Sequence, residues 1–149
     1  MAYYARIVLE GNDLTTIGNY QFYTSNGNHY LANYIGNDCL LVLPDDYNGE
    51  NYNIADCAFY GHDNIRSLTI GNGVLTVGSS VFSATPKKTI WLTNTPPTGY
   101  ANAKGSINYV ANNQYTSLNN VKVYPYLSSM FEMDGVKYVP VSPSERTCH

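Results

Sequence analysis

Asp56–Gly78 reads DCAFYGHDNIRSLTIGNGVLTVG, and the rhythm of its short apolar runs decides what kind of fold the chain builds. Ile65–Ile70 (IRSLTI) has the look of an alternating strand, with Ile65, Leu68 and Ile70 at or near an inward face. Gly71-Asn72-Gly73 turns the chain, and Val74–Phe82 (VLTVGSSVF) then repeats the pattern of Tyr52–Phe59 (YNIADCAF). A third related stretch, Leu14–Phe22 (LTTIGNYQF), lies upstream. In each, a β-branched residue (Ile17, Ile54, Val77) stands five positions before a phenylalanine (Phe22, Phe59, Phe82). Phe59 and Phe82 are 23 residues apart, a spacing typical of repeat architectures. Such a unit cannot bury its apolar face alone, so the copies are expected to stack and to offer an extended surface.

Outward from this stretch, the chain reads as short strands and turns. Asn26-Gly27 predicts a hairpin between Tyr23 and Leu31, because Asn-Gly tolerates positive φ at both central positions. Arg6–Leu9, Cys39–Leu43, Thr89–Leu92, Ile107–Val110 and Val121–Tyr124 read as further strands, and Asn112–Asn120 as one helical turn. Asn94–Gly99 (NTPPTG) reads as a loop with Pro96-Pro97 extended.

A longer repeat is also visible. Phe131, Asp134-Gly135, Tyr138 and Cys148 follow the order of Phe22, Asn26-Gly27, Tyr30 and Cys39. The expected organisation is a repeat domain over residues 1–128, with a hairpin insertion at 23–38 and a closing segment at 93–127. Residues 129–149 read as the truncated start of a following unit, and hence the chain as a link cut from a longer array.

Composition narrows the partners. Of 149 residues only 13% are charged, about half the usual share, and polarity comes from 15 tyrosines and 18 asparagines. Tyrosine suits both sheet faces and recognition surfaces, and asparagine suits turns. A net charge of −3 and no basic run beyond Lys87-Lys88 argue against nucleic acid. No stretch is long and apolar enough to insert in a membrane as a helix.

Signals for catalysis or metal binding are weak. Cys39, Cys57 and Cys148 show no metal-binding spacing, and Cys57 reads as a small core residue. Cys57, His62 and Asp63 imitate a thiol with its base, but the motif puts Cys57 in the core and His62-Asp63 in a solvated corner. Asp45, Asp46 and Glu50 read as an acidic turn rather than a calcium loop. Gly71-Asn72-Gly73 lacks the Lys-Ser/Thr of a phosphate loop. No cofactor or metal is expected, and no catalytic residue. The candidate contact residues are Trp91, Arg66, Thr69, Tyr100 and Tyr109. Trp91 is expected on the open side of its strand unless the NTPPTG loop covers it, and Arg66 and Thr69 are expected to alternate away from the inward aliphatics.

The pattern aliphatic-x-x-Ile/Val-Gly-x-x-(Ala/Val)-Phe, corner, Ile-x-x-Leu-x-Ile-Gly, carried best by Asp56–Gly78, resembles the BspA-like leucine-rich repeats of bacterial surface proteins. Ile107–Tyr115 (INYVANNQY) looks like the stretch that closes such arrays, whereas Gly71 and Glu10 stand where the family usually has Pro. The resemblance implies a leucine-rich-repeat solenoid, mainly β with short helical or 3-10 corners and β-hairpin insertions. It implies a non-enzymatic, secreted or surface-displayed module for adhesion or protein binding, with host or neighbouring-cell proteins and adjacent repeats of the same chain as partners. The alternatives are a carbohydrate-binding module, or an accessory repeat of a cell-wall-associated enzyme.

Overall fold

Gly18, at φ 60, reverses the chain inside the first of the three related stretches. As a result, in the computed structural model, that stretch does not fold as its two copies do. The structure describes residues 13–123 and the backbones of 131–133 and 136–138. Strand β1 (Thr15–Ile17) lies antiparallel on β2 (Tyr20–Ser25), with Thr15 opposite Phe22. Asn26 (φ 52) and Gly27 (φ 78) then turn β2 into β3 (Asn28–Tyr34). Positive φ at both central positions matches the right-handed twist of the flanking strands, which fixes the hairpin that Asn-Gly predicts. Phe22 is thereby drawn onto Tyr47 and Tyr52, at ring-centroid distances of 4.7 and 5.4 Å.

From here the chain deals its strands alternately into two sheets. These are β4 (Leu40–Val42), β5 (Tyr52–Ile54), β6 (Ser67–Ile70), β7 (Val74–Val77) and β8 (Lys88–Trp91), then β9 (Ile107–Val110) and β10 (Val121–Val123). One sheet has the order β1-β2-β3-β5-β7 and is mixed. The other has the order β10-β9-β8-β6-β4, and every pairing in it is parallel. Hydrogen bonds between residues 23 apart, such as Thr76 Oγ1 to Asn53 Oδ1 (2.7 Å) and the Ser79 N–H to Asp56 Oδ1 (2.7 Å), tie successive passes together. The inward rows meet in one core: Leu41, Leu68, Ile70, Trp91 and Val110 from the parallel sheet, with Phe22, Leu31, Tyr52, Ile54, Val74 and Val77 from the mixed one.

The expected solenoid is corrected by this topology. Among the described residues the strands form a mixed and a parallel five-stranded sheet with no closed solenoid, and the corners are turns rather than helices. Among the described residues the one helix is a 3-10 turn at Tyr100–Ala103. Two physical reasons are plain. Corners such as Gly61–Asn64 are too short to nucleate a helix. At Asn112–Asn120, Asn112 Oδ1 accepts the Gln114 N–H at 2.9 Å, a local bond that competes with helix formation. Stacking of the later copies does occur, since Phe59 and Phe82 lie side by side in a parallel bridge. The expected strand Arg6–Leu9 and nearly all of the 129–149 unit lie outside the described residues. Of that unit, β11 (Phe131–Met133) and β12 (Val136–Tyr138) pair antiparallel, with Phe131 opposite Tyr138.

Candidate functional site

The parallel sheet sorts the five candidate residues by register. The row Val42–Thr69–Ile90–Tyr109–Lys122 runs across all five strands, on the face opposite the core row that contains Ile70 and Trp91. Thr69 and Tyr109 therefore share the outward row. Thr69 does alternate away from the inward aliphatics, but it is buried there at 7% exposure. Tyr109 is half-buried, with the Lys88 and Lys122 ammonium groups 4.9 and 5.8 Å from its ring centre. A phenol flanked by two cations is a favourable cation–π arrangement.

Trp91 is not on the open side. It is fully buried, beside Ile70 across the ladder. Alternation along β8 holds as expected, but Ile90 takes the outward row and the indole takes the core. Tyr100 follows it inward. Its ring meets Trp91 edge-on at 6.0 Å and Tyr115 at 5.3 Å, and Tyr115 lies 5.5 Å from Trp91. Hydrogen bonding from Ser117, chiefly from its side chain and also from its N–H at 2.8 Å, holds the Tyr100 phenol below its ordinary pKa. Burial instead pushes Tyr115 up to about 12, and its hydroxyl donates to the Thr93 carbonyl at 2.7 Å. Arg66 belongs to neither group: it precedes β6, half-buried, with its Nε enclosed and without a hydrogen-bond partner among the described residues.

The NTPPTG loop borders a cleft. Together with the Gly71–Gly73 turn it walls an open cleft of about 340 Å³, lined by Asn72, Leu75, Thr93, Asn94, Pro96 and Pro97 among others. Leu75 stands on its rim at 48% exposure, and Thr98 bridges Thr76 in parallel just beyond it. The cleft offers amides, hydroxyls and aliphatic surface, with no ionisable group in its lining. Sequence reasoning missed it. The available signal was an extended Pro-Pro segment one repeat after a Gly-Asn-Gly turn.

A polar clamp closes the hairpin end. His29 Nδ1 is 2.7 Å from Thr24 Oγ1, directly across the β2–β3 ladder, and Nε2 is 2.6 Å from Glu50 Oε2. The imidazole also packs on Tyr47 at 4.7 Å. Glu50 is held by a two-residue turn, with Asn48 at φ 51 and Gly49 at φ 85. The clamp thus fastens the hairpin to the Tyr47–Glu50 turn. The acidic turn is committed likewise: Asp46 Oδ1 accepts the Gly49 N–H and Glu50 meets His29. Cys57, His62 and Asp63 make contacts that lead apart, His62 edge-on to Tyr34 and Asp63 to the Ser83 hydroxyl. Cys57 is a half-buried free thiol and Cys39 is disulfide-bonded. Among the described residues no group of three His, Cys, Asp or Glu side chains is placed to hold a metal. No family model, curated protein or solved structure matches the chain.

Proposed function

We propose that the chain is a non-enzymatic recognition module, secreted by or displayed on a bacterial cell, that binds a protein ligand on a host or neighbouring cell. The observation that carries the protein-ligand reading is the placement of aliphatic and aromatic surface. Leu75 is exposed at the cleft, with half-buried Pro96 in its lining, whereas Trp91, the natural platform for a sugar ring, is sealed in the core. A small aliphatic and amide-lined cleft suits an extended peptide segment, whose backbone groups the asparagines and threonines can pair. Tyr109, between its two cations, is a second contact region on the outward row. The Cys39 disulfide supports an oxidising compartment, and the resemblance of Asp56–Gly78 to bacterial surface repeats supports the same place.

The amide and hydroxyl lining favours one other reading, a carbohydrate-binding module. A glycan array separates them. A silent array, with binding to immobilised cell-surface protein that is weakened by Leu75→Asp, is the expected outcome. Saturable glycan binding that is lost with Asn72→Ala or Asn94→Ala overturns the protein-ligand reading.

A further inference from the structure

Over residues 13–123 charge is sorted by position. Among the described residues, 13–63 carry seven carboxylates and no Lys or Arg, and 64–123 carry Arg66, Lys87, Lys88, Lys104 and Lys122 and no carboxylate. The parallel sheet turns that sequence order into a spatial one, because its strands run β4, β6, β8, β9, β10 from one edge to the other. At the β4 edge, Asp38 lies just before the strand and Asp45 and Asp46 just after it, all exposed. At the opposite edge, Lys122 is on β10 and Lys104 precedes β9, both exposed. Arg66, half-buried next to β4, is the one cation on the acidic side among the described residues.

Both edges also expose apolar side chains. Val42 on β4 is 50% exposed, and Val121 and Val123 on β10 are 37% and 50% exposed. The two edges of a parallel sheet are not equivalent, so one edge cannot pair isologously with itself in continued parallel order. It pairs with the other edge of another molecule, which gives a heterologous, head-to-tail contact. The β4 edge is partly closed, since the Tyr20 hydroxyl donates to the Val42 carbonyl at 3.2 Å. Side-chain charge, rather than a full backbone ladder, therefore dominates such a contact.

We infer that the basic β10 edge is a docking surface for a second copy of this chain, which presents its acidic β4 edge. The contact leaves a free edge of each kind at the ends, so it propagates into short linear arrays. Exposed opposite charges attract over about 8 Å at physiological ionic strength and less in more salt, so assembly is salt-sensitive.

Sedimentation velocity of the full chain tests this with two variants, Lys104→Glu/Lys122→Glu and Asp38→Lys/Asp45→Lys, each checked for native circular dichroism. The wild type is expected to show a sedimentation coefficient that rises with concentration in dilute buffer. Its association constant should fall about tenfold or more in half-molar salt, where screening is nearly complete. Each variant alone should remain monomeric, because its two edges carry like charge. An equimolar mixture of the two should associate again, a gain that neither misfolding nor a structural role of the lysines produces. A wild type that stays monomeric at every concentration in dilute buffer overturns the proposal. So does association that survives both charge reversals.

Discussion

Phe59 and Phe82 stack with ring centroids 5.5 Å apart and planes 17° from parallel, and their backbones join in a parallel bridge. The Phe59 N–H donates to the Val81 carbonyl at 2.9 Å, and the Cys57 N–H to the Ser79 carbonyl at 3.1 Å. Two successive passes of the chain are therefore held at the same point by aromatic and backbone contacts together.

Phe59 is fully buried and Phe82 half-buried, so the two sides of this stack are not equal. Phe59→Ala leaves a cavity in the core and is expected to cost about 3–5 kcal/mol, and Phe82→Ala clearly less. Urea denaturation of both variants checks the order. Equal losses would show that Phe59 does not occupy a closed site.

Trp91 is the chain's single tryptophan, and its burial makes it a clean reporter. Its emission should be blue-shifted and nearly insensitive to acrylamide in the native state, and both properties should vanish in urea. Trp91→Ala should cost about 3–5 kcal/mol, as expected for a large buried aromatic. A quenching constant close to that of free tryptophan would place the indole on the surface.

Buried tyrosines make the fold sensitive to alkali. Burial raises Tyr20, Tyr52 and Tyr115 above the ordinary value of 10.0, Tyr115 to about 12. Between pH 10 and 12 the unfolded chain has lost these protons while the folded chain still holds them. The unfolded state then binds fewer protons, so stability falls as pH rises through that window. Urea midpoints from pH 9 to 12 should decline from about pH 10 upward, and Tyr115→Phe should flatten part of the decline. A flat profile would mean that these phenols are solvated.

Gly73 sits where a Cβ would collide with the backbone carbonyl of Asp45, whereas Gly49 has open space but a φ of +85. Gly49→Ala should cost about 1 kcal/mol through backbone strain alone. Gly73→Ala must move main chain and should cost about 3 kcal/mol. Thermal melts of the two variants give the comparison, and a reversed order would contradict the close packing of the Gly71–Gly73 turn on the Asp45-Asp46 segment.

How legible this was in the sequence depended on locality. The Asn26-Gly27 hairpin, the strands around Leu41, Leu68 and Ile90, and the pairing of Phe59 with Phe82 could all be read, because short-range turn chemistry and a 23-residue spacing fix them. The first copy was misread because Leu14–Phe22 shares its apolar spacing with the others. What separates it is the reversal at Gly18, which feeds β2 into the hairpin and sends Phe22 to Tyr47 and Tyr52. Helical corners were overestimated for a similar reason, since turn-length junctions leave no room for a helix. Trp91 failed on a face assignment: Ile90 and Trp91 both look apolar, and alternation alone does not say which row faces the other sheet. Thr69 was placed on the correct row, but row membership does not give exposure. The cleft joins residues from two separate passes, and only the fold brings them together.

Recognition of a protein through aliphatic surface is tested most directly by retention of the labelled full chain on cells. One batch of cells is shaved with trypsin to remove surface protein, and another is oxidised with periodate to destroy surface glycans. The expected result is retention that trypsin abolishes and periodate spares, and that Leu75→Asp weakens without altering the melting curve of the chain. Retention that survives trypsin and disappears after periodate would contradict it.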